Sequence, residues 1–312
     1  MAESVDYSKL VNALIERQLT GWDVAKKNYG ALSRCRLRSL RVGQSSIVLQ
    51  FNPERIRSSA AKVDAASLKA RKCFLCSENQ PVEQEKIVWN GKYKIQLNPY
   101  PIFPLHLTIS ELRHTAQRIE GRMGHMLDLA HDLPDFVLFY NGPKCGASAP
   151  DHMHFQAGNK GFMPYCDEVL GSKLSVIDNN AYGSLALSQG LGRLSFLITA
   201  TTASRAQQLY DALYRAMPTK EGDPEPMHNI LCWWQQGRYY IAVFPRRKHR
   251  PACYGSGEGQ FLLSPASVDM GGVWAVPVEK DFNALTAGDV QSMLDELCMT
   301  TDDAINIIQR LK

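Results

Sequence analysis

Apolar residues along this chain recur with two periods, one near four residues and one of two, and the periods change in blocks. Over residues 8–28, Leu10, Val11, Leu14, Ile15, Leu19 and Trp22 fall at helical spacing, which predicts an amphipathic N-terminal helix. The period then shortens: residues 36–42 alternate like a strand, and 46–51 follow as the hairpin partner, broken by Asn52-Pro53. Residues 86–89 and 93–98 are two further strands around Asn90-Gly91, a dipeptide suited to a tight hairpin because both positions tolerate positive φ. A proline-rich bend from Asn98 gives way to a strand near Leu107. Helical spacing returns over 117–133 (Ile119, Met123, Met126, Leu127, Ala130), and 135–140 is a nearly continuous apolar strand.

That strand delivers the chain to Asn141-Gly-Pro-Lys-Cys-Gly-Ala-Ser-Ala-Pro-Asp-His-Met-His-Phe-Gln156, a glycine-bearing turn that ends as a short strand. Successive strand side chains point to opposite faces, so His152, His154 and Gln156 share one face while Met153 and Phe155 share the other. Neighbours on one face lie roughly 6–7 Å apart, close enough for one phosphate to touch His154 and Gln156 together. Gly146 and Ser148, just upstream, offer backbone N–H groups and a hydroxyl as further donors. The bland readings are a polar strand face after a loop, and a serine that merely suits a tight turn.

Residues 157–190 hold few periodic signals and read as a long connection over the active site. A second unit follows: a strand at 193–200, a helix at 203–216, strands at 227–234, 238–244 and 272–277, and a terminal helix over 288–311. The order echoes the first half, with 93–114 finding its analogue in 239–249, but no His-x-His recurs.

Composition narrows the class. The chain has 312 residues, 45% of them hydrophobic and 21% charged, which is ordinary for a globular protein of one large domain or two packed halves. A formal charge of +4 suits small anionic ligands. No basic run interleaved with aromatics marks a nucleic-acid surface. No apolar run approaches the ~18 residues of a membrane span, and the N-terminus lacks the pattern of a signal peptide. The eight cysteines are scattered, so no disulfide framework is indicated and a cytoplasmic protein is expected. Only Cys73 and Cys76 are close. Their spacing fits a zinc knuckle or a redox pair, although the βαβ context of a thioredoxin-type motif is missing. Six cations between Arg55 and Lys72 read as a solvated connector.

The His-x-His-x-Gln of residues 152–156, with Asn141, Gly146 and Ser148 before it, resembles the active-site strand of the histidine-triad superfamily in its transferase branch. That branch includes galactose-1-phosphate uridylyltransferase, diadenosine tetraphosphate phosphorylase and plant GDP-L-galactose phosphorylase. The likeness spans roughly residues 35–280 and is strong over 73–156. It implies an α+β fold of two tandem histidine-triad-like halves with antiparallel sheets flanked by helices. The expected divisions are an N-terminal helical segment at 1–35, a catalytic half at 36–190 and a degenerate half at 191–312. By resemblance, His154 is nucleotidylated, Asn98 lies where ribose hydroxyls bind, and Arg55 and Lys62 fall among phosphate-binding cations. Asn141 and Gly146 border the same phosphate. Cys73, Cys76, His114 and His152 occupy the places of a structural zinc site. Arg246, Arg247, Lys248 and Arg250 are either an acceptor-phosphate site or a basic surface turn, while His228 and His249 read as structural or exposed. No histidine cluster follows His154 to build the second metal site of the uridylyltransferase.

A neutral imidazole can attack the α-phosphorus of a nucleotide, leaving a nucleotidyl-histidine that a second acceptor then resolves. The attacking nitrogen is freed when the other ring nitrogen donates to a fixed acceptor. An amide at Gln156 cannot supply a proton as histidine can, which favours leaving groups that depart as phosphates. The expected activity is therefore nucleotidyl transfer or phosphorolysis on a nucleoside diphosphate sugar, with a phosphate-bearing acceptor. The alternatives are a dinucleoside polyphosphate phosphorylase and a non-catalytic sugar-nucleotide-binding protein.

Overall fold

The computed structural model describes residues 5–53 and 65–312, so Arg55 and Lys62 lie outside the described residues. The N-terminal helical spacing resolves into two helices, α1 (Tyr7–Gly21) and α2 (Asp23–Leu32). Trp22 between them is extended, at φ −119° and ψ 107°, and turns its indole into the core. The hairpin of β1 (Arg36–Val42) and β2 (Ser45–Phe51) is not part of the main sheet. It joins β13 (Val273–Val276), which pairs in parallel with β2, so a strand expected in the second half returns to the chain's beginning.

Among the described residues the main sheet has ten strands. The first five are β3 (Ile87–Trp89), β4 (Tyr93–Leu97), β5 (His106–Glu111), β6 (Phe136–Asn141) and β7 (His154–Asn159). The others are β8 (Lys173–Asn180), β9 (Gly183–Gln189), β10 (Ser195–Ala200), β11 (His228–Gln235) and β12 (Arg238–Pro245). Asn90 and Gly91 both take positive φ, as a tight β3–β4 turn requires.

The strand order is β3-β4-β5-β7-β6-β11-β12-β10-β9-β8. Read inward from either edge, the two five-strand sets have the same topology. Helix α4 (Met123–Asp132) links β5 to β6, and α6 (Ala203–Ala216) links β10 to β11, while α3 (Ala65–Ala70), α7 (Ser267–Met270) and α8 (Glu279–Ala284) are short. The two tandem halves thus fuse into one sheet through the antiparallel β6–β11 pair, in which Asn141 lies opposite Asn229.

This order corrects two expectations. Residues 157–190 are not a bare connection: they form α5 (Pro164–Glu168), β8 and β9. Strand β8 is an edge strand, exposed at almost every position, so it lacks the apolar alternation that signals a half-buried strand. The repeat is also offset. β12, within 239–249, stands where β7 stands in the first half, and β9 and β10 match β4 and β5. We infer that the second half begins near β8. The terminal helix is likewise two, α9 (Ala287–Leu297) and α10 (Thr301–Leu311), because Thr300 caps a new start with Asp303.

One face of the sheet, with Leu138, Tyr140, Phe155 and Ala157, packs on α1, α4, α6 and α10. The other, with Phe139, Leu231 and Phe244, packs under the β1-β2-β13 sheet, α5 and α9. Every position of β6 is buried. Each large apolar side chain there contributes about 1.5–3 kcal/mol, which fixes the register that places the strand beside it, β7.

Candidate active site and metal centre

His154 opens β7 and pairs across the sheet with Ser110 of β5. The residue is buried, with 4% of its surface exposed. Its Nδ1 lies 2.8 Å from the carbonyl oxygen of His152. A carbonyl only accepts, so Nδ1 carries the proton and Nε2 holds the lone pair. Burial, opposed in part by that hydrogen bond, pulls the imidazole pKa down to about 4, so the ring is neutral near pH 7.

The backbone at His154 is clamped by Gln117. Its Oε1 accepts from His154 N–H at 2.8 Å, while its Nε2 donates to the carbonyls of His154 at 3.0 Å and Asn141 at 2.9 Å. Sequence reasoning gave Gln117 no role beyond opening a helix. In the structure it precedes α4 in an irregular segment, where a glutamine's three bonds replace sheet pairing.

Gln156 lies two residues on and is oriented in the same stepwise manner. Ile102 N–H donates to His106 Nδ1 at 3.2 Å, so His106 Nε2 carries the proton and donates to Gln156 Oε1 at 3.0 Å. Asn98 Nδ2 adds a longer bond to the same oxygen at 3.3 Å, and also reaches Thr108. With its oxygen taken twice, the Gln156 amide nitrogen has no protein acceptor among the described residues. His106 was missed from the sequence because its only signal is alternation within β5.

Residues 142–153 form the loop between β6 and β7. Gly146 takes φ +93°, and a Cβ there would sit 2.5 Å from that of Ala266, so only glycine fits. Asn141 Oδ1 accepts from Asn229 Nδ2 and from Ser267 N–H, each at 2.8 Å. Arg71 holds the loop from the other side through Asp151, at 3.0 Å, and the carbonyl of Ser148, at 3.2 Å. Arg71 therefore departs from the solvated connector expected of its neighbourhood. Ser148 is half-buried, and its hydroxyl has no protein partner among the described residues.

Lys94 and Ser110 continue the row of His154 across β4 and β5. Lys94 is buried, its ammonium held by Ser77 Oγ at 3.0 Å and Gln80 Oε1 at 2.8 Å. Ser110 Oγ is buried without a partner among the described residues. Alternation over residues 93–98 carried the one signal for Lys94.

Cys73, Cys76, His114 and His152 come together with their ligand atoms all within 4.8 Å of one another. Among the described residues this is the one such cluster. His152 Nδ1 faces Cys73 Sγ at 3.3 Å and Cys76 Sγ at 3.6 Å, and His114 Nδ1 faces Cys76 Sγ at 3.2 Å. His152 Nε2 donates to the carbonyl of Glu111 at 2.9 Å, and His114 Nε2 stands 3.8 Å from Asp151. Ring nitrogens converge on two thiols, and His152 has its other nitrogen held by a backbone carbonyl, as metal-binding histidines do. Burial first, then the neighbouring Cys73 thiol, push the Cys76 thiol up to about 11. The donor set fits a tetrahedral metal ion.

The cations of the basic run, read as either an acceptor-phosphate site or a surface turn, have different surroundings. Arg246 is buried and bonded to Asn229 Oδ1 at 2.7 Å and to the Pro265 carbonyl at 2.9 Å. Lys248 is exposed and ion-paired with Glu296. Arg250 stacks over Tyr254 at 4.1 Å. His228 is buried between the Pro226 carbonyl and Tyr210, a structural place.

With this geometry in view, comparisons with known structures give a clear result. Yeast Ap4A phosphorylase Apa2 superposes with a TM-score of 0.63 over 93% of this chain and 97% of its own, at 19% identity. The chain shares the fold of that phosphorylase. The same yeast enzyme in complex with Ap4A matches at 0.61 over 93% and 97%, and in complex with AMP at 0.61 over 92% and 95%, both at 19% identity. A family model described only as a domain of unknown function, DUF4922, matches residues 14–159. That span holds the cysteine pair, His114 and the whole of β7. No curated protein sequence matches the chain.

No helix among the described residues is long and apolar enough to cross a membrane.

Proposed function

We propose that this protein is a nucleotidyltransferase or phosphorylase that works through a nucleotidyl adduct on His154. The observation that carries the reading is the hydrogen bond at that ring: Nδ1–H is spent on a backbone carbonyl, which leaves the Nε2 lone pair as the nucleophile.

In the first step Nε2 attacks the α-phosphorus of a nucleoside 5′-anhydride. A phosphorus–nitrogen bond forms, the bond to the bridging oxygen breaks, and the remainder leaves as a phosphate. In the second, a phosphate oxygen of the acceptor attacks and His154 is released. Fixed donors aimed at the equatorial oxygens supply most of the stabilisation in such transfers. Gln156 Nε2, the Ser148 hydroxyl and N–H groups near Gly146 are the donors here. Asn98 borders the ribose, and Asn141 sets the loop's entry. Because Gln156 is not an acid, the leaving group departs unprotonated, and water is a poor second substrate.

The metal of the Cys73–Cys76–His114–His152 set is zinc in this reading, and it supplies structure: it pins the segment two residues before His154. Arg55 and Lys62 remain candidate phosphate-binding cations.

Two donor classes suit the site. A nucleoside diphosphate sugar follows from the sequence reading, and a dinucleoside polyphosphate is favoured by the fold shared with an Ap4A phosphorylase. The test is an assay of both classes with and without inorganic phosphate. The reading expects product formation that depends on phosphate or a sugar 1-phosphate. Rapid hydrolysis indifferent to acceptor would contradict it.

A further inference from the structure

Between β4 and β5 the chain bends through Pro99, Pro101 and Pro104, which take three N–H groups out of residues 99–104. Among the described residues this bend makes no backbone–backbone hydrogen bond. Side chains hold it instead. Asn28 Nδ2 donates to the Pro99 carbonyl at 2.7 Å, and Asn98 Oδ1 accepts from Tyr100 N–H at 2.9 Å. Gln50 Nε2 donates to the Ile102 carbonyl at 3.0 Å, and His106 Nδ1 accepts from Ile102 N–H at 3.2 Å. The bend sits on the strand of the nucleophile: Phe103 lies over Gly158 of β7, where a Cβ would stand 2.6 Å from its ring.

Two of these side chains come from outside the ten-stranded sheet, Asn28 from α2 and Gln50 from β2. Gln50 is 3% exposed, and its Oε1 is buried with no partner among the described residues. Burying an unpaired amide oxygen is unfavourable, and an apolar side chain of that size would avoid it. What the position uses is therefore the donor. That donor fixes Ile102, whose N–H decides which nitrogen of His106 carries the proton.

We propose that Gln50, with Asn28, is a positioning residue for Gln156: by holding the bend it keeps the His106 proton on Nε2, aimed at Gln156 Oε1, so that the amide presents its NH2 to the phosphate. The hydrogen-bond chain stands by itself, while its catalytic use rests on the function proposed above. When the bend slackens, His106 Nδ1 can take up the proton. The Nε2 lone pair then meets the Gln156 oxygen, and the amide turns over.

The His106 tautomer is read by imidazole ¹⁵N NMR in the unaltered protein, in Gln50→Met, which keeps the length and loses the donor, and in Asn28→Leu. Turnover is measured with Ap4A and with UDP-glucose, each with inorganic phosphate. The unaltered protein is expected to carry the His106 proton on Nε2 alone. Both variants are expected to show a mixture of tautomers, with kcat about tenfold lower and KM little changed. If Gln50→Met does not fold, Asn28→Leu and the tautomer of the unaltered protein decide. His106 protonated on Nδ1 in the unaltered protein, or an unchanged tautomer in the variants, overturns the proposal whatever the activity. A changed tautomer with unchanged kcat overturns the catalytic use. Absence of turnover with either donor counts against the function proposed above, and the tautomer then judges the positioning alone.

Discussion

His154 Nδ1 lies 2.8 Å from the carbonyl oxygen of His152, two residues earlier in the same chain. One short turn thus does two things. It turns the His152 side chain toward the cysteine pair, and it fixes which nitrogen of His154 is free to react. The Cys/His set that could hold a metal and the candidate nucleophile are coupled by covalent connection rather than by contact.

The first prediction concerns the clamp on this segment. Gln117→Leu leaves the His154 N–H and two carbonyls buried without partners. Unsatisfied buried groups cost about 1–3 kcal/mol each, so a loss on the order of 3 kcal/mol is expected in urea unfolding. Gln117→Glu, which keeps the acceptor for His154 N–H, should lose less. Equal stability of all three proteins would show that Gln117 is not the clamp.

His106 tests the orientation of Gln156. In His106→Phe the Gln156 oxygen loses the stronger of its two donors, and the amide is free to turn its oxygen toward the phosphate. Removing an oxyanion donor outright costs about 10²–10³ in kcat, so misdirecting one should cost roughly tenfold or more. The loss should fall on kcat with little change in KM. A variant with unaltered kcat would remove His106 from the account.

The metal centre is checked by composition. Protein purified without chelator should contain about one zinc per chain, and Cys76→Ser should lose it and unfold at lower temperature. Metal analysis that finds none would leave four ligands without an ion and remove the proposed pin on the active-site strand.

Gly146 is a steric test. Alanine there must adopt φ +93° and place its Cβ 2.5 Å from that of Ala266. The cost should be about 1–3 kcal/mol, read in thermal unfolding together with slower turnover as the loop shifts. Normal stability would mean that residues 264–267 yield without resistance.

Much of this could be read from the sequence because it rests on local spacing. His152, His154 and Gln156 fall at strand period, Asn90-Gly91 announces its hairpin, and Cys-x-x-Cys marks one edge of the metal cluster. What escaped depends on pairing between distant segments. β8 was hidden because an exposed edge strand carries no apolar alternation, and its loss shifted the expected match between the halves. Gln117 and His106 were hidden because their work is hydrogen bonding to residues 37 and 50 positions away. Arg246 stood out only as part of a basic run, whereas its burial against Asn229 comes from the β11–β12 register.

The most direct test is to supply donor without acceptor and weigh the intact protein. The account predicts a mass increase of one nucleoside monophosphate, mapped to His154 and not to His152. The adduct should be stable in base and lost in acid, as a phosphorus–nitrogen bond to imidazole is, and absent in His154→Ala. A donor that turns over without any trappable adduct, and still turns over in His154→Ala, would contradict it.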